Sequence, residues 1–543
     1  MTDDQKTAGT SAAERTGTLT GTTRNATNVE DIETTGPMTE PEKDLRLWEA
    51  IKLYPKVTGW CMGLTSAILL WGYDNIIVGQ ITALPTFQRD FGEWSVSEDD
   101  YIFPAFWLGL WSSSTNIGAF FGSITGGFIQ DRIGRKLSLN LGAVLAALGV
   151  CIIFSSYWVG DLESKRGVFF AGKVFAGFAT GIVKVQVLTY ISEITPTALR
   201  GSALALVPTF TLLGQLVGGL IIFGINESES PTGYLVVLGS QWILSIVPLV
   251  LSIFMPESPA FLIRKGRHEE AMTAIKRLVA PKVDPEKVFR QTKLTIEQEA
   301  AQAEAVNYRD CFNRAHLRRT WIVLFANQLQ SLFGLDLLST ASYFLQVIGM
   351  DSGTSLIFLI SGIALGMVAN GVSIWLQSRV GRRRLIIPSF VAAGILYTGM
   401  GIAGCFKTTA VQWYSAVSLN LVIVVCGLGA WPAGYSVMSE ASALRLRSKS
   451  QAIGGVSQQA ASVLFKFTLP FIFNPDAGNL RAKTGFVYTG LCLIGGFGTF
   501  FWVPEMKGRN ALEIDDMFEL KLPARQFKHW KSERGEHVEA KEE

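Results

Sequence analysis

Apolar residues in this chain come in long unbroken runs, not at the spacing of a half-buried helix or strand. Runs of about 18 residues or more, enough for a helix to cross roughly 30 Å of hydrocarbon, recur along the sequence. They predict spans at 57–82, 104–130, 137–157, 167–190, 201–223 and 234–254. A second set is predicted at 321–347, 354–378, 385–405, 411–437, 449–473 and 484–503. The expected fold is an all-α integral membrane protein, with twelve transmembrane helices in two six-helix bundles.

The polar stretches frame these spans. Residues 1–45 are rich in Thr, Ala, Gly, Glu and Asp and read as a disordered cytoplasmic tail. They carry no charged segment followed by an apolar one, so no cleavable signal peptide is expected. The first bundle would occupy 46–255, a polar linker 256–319, the second bundle 320–503 and a cytoplasmic tail 504–543. Within the linker, Ala271, Ala274, Ile275 and Leu278 fall on one helical face, which predicts short amphipathic helices.

The chain repeats itself. Gly127-Phe-Ile-Gln-Asp131-Arg132-Ile-Gly134-Arg135-Lys136 returns in degraded form as Ser378-Arg379-Val-Gly381-Arg382-Arg383-Arg384. Gly134 and Gly381 are 247 positions apart. Glu193 with Arg200 and Glu440 with Arg447 share that offset. Two copies of one long unit, each with its charge in turns between apolar spans, is a pattern of secondary transporters. The turns at 131–136, 379–384 and 445–449 are basic and fall on one side if the spans alternate. Asp90, Glu93, Glu98, Asp99 and Asp100 fall on the other. Basic loops stay cytoplasmic, so both termini are expected there, in a multi-pass protein of the cell membrane. The sequon at Asn226 would then be external and a possible glycosylation site, whereas that at Asn25 would be unused.

Composition agrees with the span pattern and excludes other classes. Of 543 residues 48% are hydrophobic and only 17% charged, with mean hydropathy +0.29. A net charge of +3 gives no case for nucleic acid. The six cysteines lack metal-ligand spacing, and the four histidines all fall outside the spans. No nucleophile–base set, phosphate-binding loop or dinucleotide fingerprint is present, so no enzyme and no cofactor is expected.

Five motifs, taken in order, resemble the major facilitator superfamily and within it the sugar porter family. They are Asp131-Arg-Ile-Gly-Arg-Lys, Tyr190-Ile-Ser-Glu-Ile-Thr-Pro196, Arg200-Gly201, Pro256-Glu-Ser-Pro-Ala-Phe-Leu262 and Pro504-Glu-Met-Lys-Gly-Arg509. A narrower resemblance, to fungal maltose and α-glucoside permeases, rests on Leu53-Tyr-Pro-Lys56, Gly72-Tyr-Asp74, Ala83-Leu-Pro-Thr-Phe-Gln88, Leu444-Arg-Leu-Arg-Ser-Lys449 and Asp515-Asp-Met-Phe518, among others. The resemblance implies the major facilitator fold and proton-coupled uptake of a sugar such as maltose by a monomer. A transporter of another polar solute or glycosylated metabolite stays open, as does a non-transporting sugar sensor.

The site residues follow from the same resemblance, read against the chemistry of each side chain. Asp74 lies inside the first span, where a bare carboxylate costs several kcal/mol. In proton-coupled sugar porters the matching Asp binds the proton and pairs with an Arg, and here Lys173 stands at the Arg position. The pair either exchanges a proton or serves as a structural bridge. Gln215 and Gln330 match sugar-binding amides, with interhelical hydrogen bonding as the alternative. Pro208 and Ser331 stand where the family has further Gln residues, and Asp336 where it has Asn. Gln330 and Asp336 are six apart and converge only if span 7 breaks near Gly334. Trp431 and Tyr435 share a face of span 10, as sugar-stacking rings or as packing. Lys466 stands isolated in span 11, where it would snorkel toward a surface or pair with an acid. Asp131, Arg132, Arg135, Glu193, Arg200, Arg382, Glu440 and Arg447 are expected to form a gating network that holds the cytoplasmic side shut.

Overall fold

The computed structural model describes residues 47–530 apart from 97–98, 227–229, 304–307, 407, 444–445, 508–510 and 528–529. The expected tail 1–45, with Asn25, and the side chains of Arg200 and Arg447 lie outside the described residues. The first half opens with α1 (Leu47–Leu53), then α2 (Pro55–Ser66) and α3 (Ile68–Ile81), which together form span 1. A short α4 (Pro85–Phe91) and a hairpin of β1 (Glu93–Ser95) and β2 (Asp100–Ile102) follow. Spans 2 to 6 are α5 (Ala105–Ile133), α6 (Arg135–Ser155), α7 (Leu162–Ile194), α8 (Thr197–Ile225) and α9 (Thr232–Phe254).

Residues between the halves form α10 (Pro259–Arg264), α11 (His268–Val279) and α12 (Pro285–Ala303). Ala271, Ala274, Ile275 and Leu278 are the buried face of α11. Span 7 is in three pieces, α13 (Leu317–Leu332), α14 (Leu335–Ser339) and α15 (Ala341–Val347). Spans 8 and 9 are α16 (Ser352–Arg379) and α17 (Arg382–Ala403). Span 10 breaks at Gly429 into α18 (Ala410–Leu428) and α19 (Ala430–Ala441). Spans 11 and 12 are α20 (Arg447–Phe473) and α21 (Thr484–Trp502), and α22 (Ala511–Glu519) ends the series.

Local chemistry sets several of the helix starts. Asp161 caps α7 by accepting from the Ser164 amide, and Asp351 caps α16 through Thr354. Those amide bonds hold both carboxyls below their ordinary range. Large apolar side chains such as Phe128, Ile243, Val368 and Phe497 are exposed, as a lipid-facing surface requires.

Among the described residues nine helices are long and apolar enough to cross a membrane. The expected spans missing from that set are α5, the broken α13–α15 and α20. Ser, Thr, Asn, Gln and Lys occupy much of α5 and α20, whereas span 7 falls short because its longest piece has only 16 residues, and these helices meet at the junction of the halves. Across that junction α5 packs on α20, and α8 packs on α16. The repeat exchanges these two contacts, since span 2 corresponds to span 8 and span 5 to span 11. A Cβ at Gly109 of α5 would run into the Phe467 carbonyl of α20, so this close approach needs glycine.

Among the described residues, hydrogen bonds between the halves fall in the middle and at one end. At the end bearing the acidic loops, Gln88 donates to Gln346 at 2.9 Å and Ser352 to the Ala83 carbonyl at 2.8 Å. There too Asn474 donates to the Phe103 carbonyl at 2.7 Å, and the Ala105 amide to Asp476 at 2.7 Å. At the basic end no hydrogen bond joins the halves among the described residues.

Candidate functional site

Asp74 and Lys173 meet in the core of the first half, 1% and 0% exposed. The Lys173 ammonium forms a short ion pair with Asp74 Oδ1 and also donates to the Asp74 carbonyl at 3.2 Å. Thr115 of α5 donates to Asp74 Oδ2 at 3.0 Å, and Gln241 of α9 donates to Oδ1 at 3.3 Å. Four helices thus converge on one carboxylate. Gly177 makes this possible, because a Cβ there would strike the Thr115 backbone and push α7 off α5. Removing one partner of such a pair would leave a lone buried charge, a loss of about 3–5 kcal/mol.

The second half presents its polar groups along α20. Gly334 has φ +91°, left-handed backbone that glycine adopts freely, and it ends α13. Gln330 lies before this break and Asp336 after it. Gln458 donates to Gln330 Oε1 at 3.0 Å, and the Ser462 hydroxyl donates to Asp336 Oδ1 at 3.0 Å. Residues 458 and 462 are one turn apart on α20, so the break brings Gln330 and Asp336 to one stripe.

Lys466 continues that stripe by another turn. It donates to Asn116 Oδ1 at 3.0 Å and to Asn75 Oδ1 at 3.3 Å, both in the first half. Asn116 in turn donates to Gln459 at 3.0 Å. Lys466 is therefore not isolated, as its sequence context suggests, but joins the halves directly beside the Asp74 centre. Asp336 and Lys466 line one small cavity with Ser112, Thr340 and Phe473. Asp336 Oδ2 and Ser112 Oγ are buried there without a hydrogen-bond partner among the described residues.

The remaining candidates are placed as follows. Gln215 is half-buried on α8. Trp431 is half-buried, with its ring 6.4 Å from that of Phe333, whereas Tyr435 is 40% exposed. Asn226 accepts from the Ser352 hydroxyl at 2.6 Å, which ties it to the start of α16. Sequence reasoning overlooked Lys184, which sits 4.1 Å over the Trp71 ring. It also overlooked Thr115, Asn116 and Gln241. Uncharged polar residues inside predicted spans were the signal that would have pointed to the last three.

At the basic end the repeat becomes two similar ionic knots. Arg135 donates to Glu193 through Nε at 3.0 Å and Nη2 at 2.7 Å, and lies 3.5 Å from Asp131. Arg382 donates to Glu440 at 2.7 Å. Glu257 accepts from the Arg135 amide at 2.9 Å, and Glu505 from the Arg382 amide at 3.0 Å, each at a helix start. Arg132 is exposed. Each of these bonds lies within one half or the other. Among the described residues they brace each half internally, and the Arg200 and Arg447 side chains of the expected gating network lie outside the described residues.

Residues 60–518 match the family model described as sugar (and other) transporter. The chain belongs to that family. This transporter is 29% identical over 503 residues to the MFS transporter fmqE of Aspergillus fumigatus, covering 90% of this chain and 92% of that one. It is 30% identical over 514 residues to the maltose permease MAL61 of Saccharomyces cerevisiae, covering 91% and 80%. Among solved structures it resembles the inward-open xylose transporter XylE from E. coli. The TM-score is 0.70 at 19% identity, over 85% of this chain and 99% of that one. That likeness confirms the major facilitator fold of this multi-pass membrane transporter.

Proposed function

We propose that this transporter takes up an α-glucoside such as maltose together with a proton, by alternating access at the cell membrane. The observation that carries the reading is the buried Asp74–Lys173 pair, an acid and a base that share one site in the bundle interior. The maltose permease MAL61 among its relatives supports the sugar. On this reading the basic end is cytoplasmic, with both termini. The hydrogen bonds at the acidic end then seal the outer side, and the substrate site is reached from within. Gln215, Gln330, Asp336, Trp431 and Tyr435 contact the sugar, and the ionic knots at Arg135 and Arg382 keep each half rigid as it rocks.

The test is uptake of labelled maltose and glucose by cells lacking their own sugar porters, with external pH recorded. Uptake with external alkalinisation supports symport. Uptake without a pH change makes the protein a facilitator. A second reading, transport of another polar solute, is favoured by Asp336, a carboxylate where the sugar porters have an amide. Surface-expressed protein that moves neither sugar would reject the first reading in favour of this one or of a non-transporting sensor.

A further inference from the structure

The Asp74 centre is complete, but the Asp336–Lys466 centre is not. The two side chains line one cavity without forming an ion pair. Asp336 accepts from Ser462 at one oxygen and has the Ser331 hydroxyl close by; among the described residues its Oδ2 makes no hydrogen bond, nor does the Ser112 hydroxyl that lines the same cavity. Each is buried, 4% and 8% exposed, so neither is hydrated by bulk solvent. Idle polar atoms at this depth are costly unless something visits them. The cavity measures about 10 Å³, close to the space of one water or one hydroxyl and too small for a sugar ring. Leu469, Pro470 and Phe473 complete its lining.

The position of this cavity along α20 says more. The stripe runs from Gln458, bonded to Gln330, through Ser462, bonded to Asp336, to Lys466. At 1.5 Å per residue it extends for about 12 Å, longer than one sugar ring. We propose that Asp336 and Lys466 form a second, hydroxyl-sized subsite at the junction of the halves, which takes an exocyclic hydroxyl at the far end of a disaccharide. The near end of that disaccharide meets Gln330 and Gln458. The hydroxyl donates to Asp336 Oδ2 and accepts from the Lys466 ammonium, which turns away from Asn75 and Asn116 to reach it. Binding thereby loosens a bond between the halves. This inference rests on the sugar-transport reading.

The test is counterflow of labelled maltose and of labelled glucose, with full-length protein in liposomes. The variants are Lys466→Met, Asp336→Asn and the two combined. Each single change is expected to raise the half-saturating maltose concentration at least about tenfold, since each removes a charged hydrogen bond to substrate. Glucose, too short to span the stripe, shifts by less than about threefold. The double variant is no worse than the single ones, because all three lose the same subsite. A general folding defect would instead add up and would strike both sugars. Unchanged maltose affinity in both single variants would mean the cavity holds only a water, and the inference falls. Equal losses for glucose and maltose also overturn it. A parent protein that moves neither sugar overturns the sugar reading, and this inference with it.

Discussion

Two buried acid–base sets lie side by side at mid-bundle, and they are built differently. Asp74 and Lys173 touch, both belong to the first half, and Thr115 and Gln241 complete the carboxylate. Asp336 and Lys466 face one cavity, do not touch, and the lysine is held by amides of the opposite half. The first set is fixed by its own bundle and travels with it when the halves rock. The second straddles the junction, so rocking must change its partners. On the inference above, a charge set that responds to substrate keeps a partner in reserve, here the Asp336 oxygen that makes no hydrogen bond among the described residues.

The sharpest way to break this contrast is Asp74→Asn. It leaves the Lys173 charge buried without its counter-ion, a loss of about 3–5 kcal/mol. Uptake should fall at least about 100-fold with no external alkalinisation. The melting temperature of the purified protein should drop as well. Adding Lys173→Met should recover the melting temperature and not the alkalinisation. Recovery of both would make the pair a structural bridge alone.

Gly109→Val attacks the junction instead. The added side chain collides with the Phe467 carbonyl and pries α5 from α20, which draws Asn116 away from Lys466. Overpacking of this kind costs about 1–3 kcal/mol. A lower melting temperature and lost uptake are expected, with the protein still reaching the surface. Normal transport by this variant would show that the α5–α20 contact is not what aligns the two sets.

Asp336→Leu sharpens the comparison through stability. A buried carboxylate with an unpaired oxygen is poorly compensated, so its apolar replacement should leave the melting temperature unchanged or raised. Maltose transport should still suffer. A large fall in melting temperature would mean that Asp336 is as structural as Asp74.

The smallest expected effect runs in the favourable direction. Asn75→Ala removes the longer of the two bonds that hold Lys466 to the first half. Substrate then has less to displace, and maltose affinity should improve about threefold, the worth of one modest hydrogen bond. A weaker affinity would place Asn75 among the sugar contacts instead.

Much of this was legible beforehand, and the residues show where legibility stops. The spans came from apolar runs, and the helix ends differ from expectation by only a few residues, as α3 ending at Ile81 and α21 starting at Thr484 illustrate. The Arg135 and Arg382 knots were visible as a repeat at a common offset. Lys466 was visible as a charge in a span, yet its partners Asn75 and Asn116 lie 391 and 350 residues away. Sequence distance of that size carries no pairing information by itself. The gating expectation meets a related limit. Opposite charges at one end of a bundle announce ion pairs, but not whether the pairs close within a half or between halves.

What the sequence determined by itself was the set of spans, their two-fold repeat, the family motifs and the residues that cannot rest in hydrocarbon unpartnered. Those follow from transfer between water and lipid, which acts on each segment almost independently of the others. Only the tertiary structure decided which of those residues meet. That depended on the left-handed turn at Gly334, on the close approaches at Gly177 and Gly109, and on the face α20 turns to the first half. Asp74, Asp336 and Lys466 find their partners across helices, so their pairing is a property of packing.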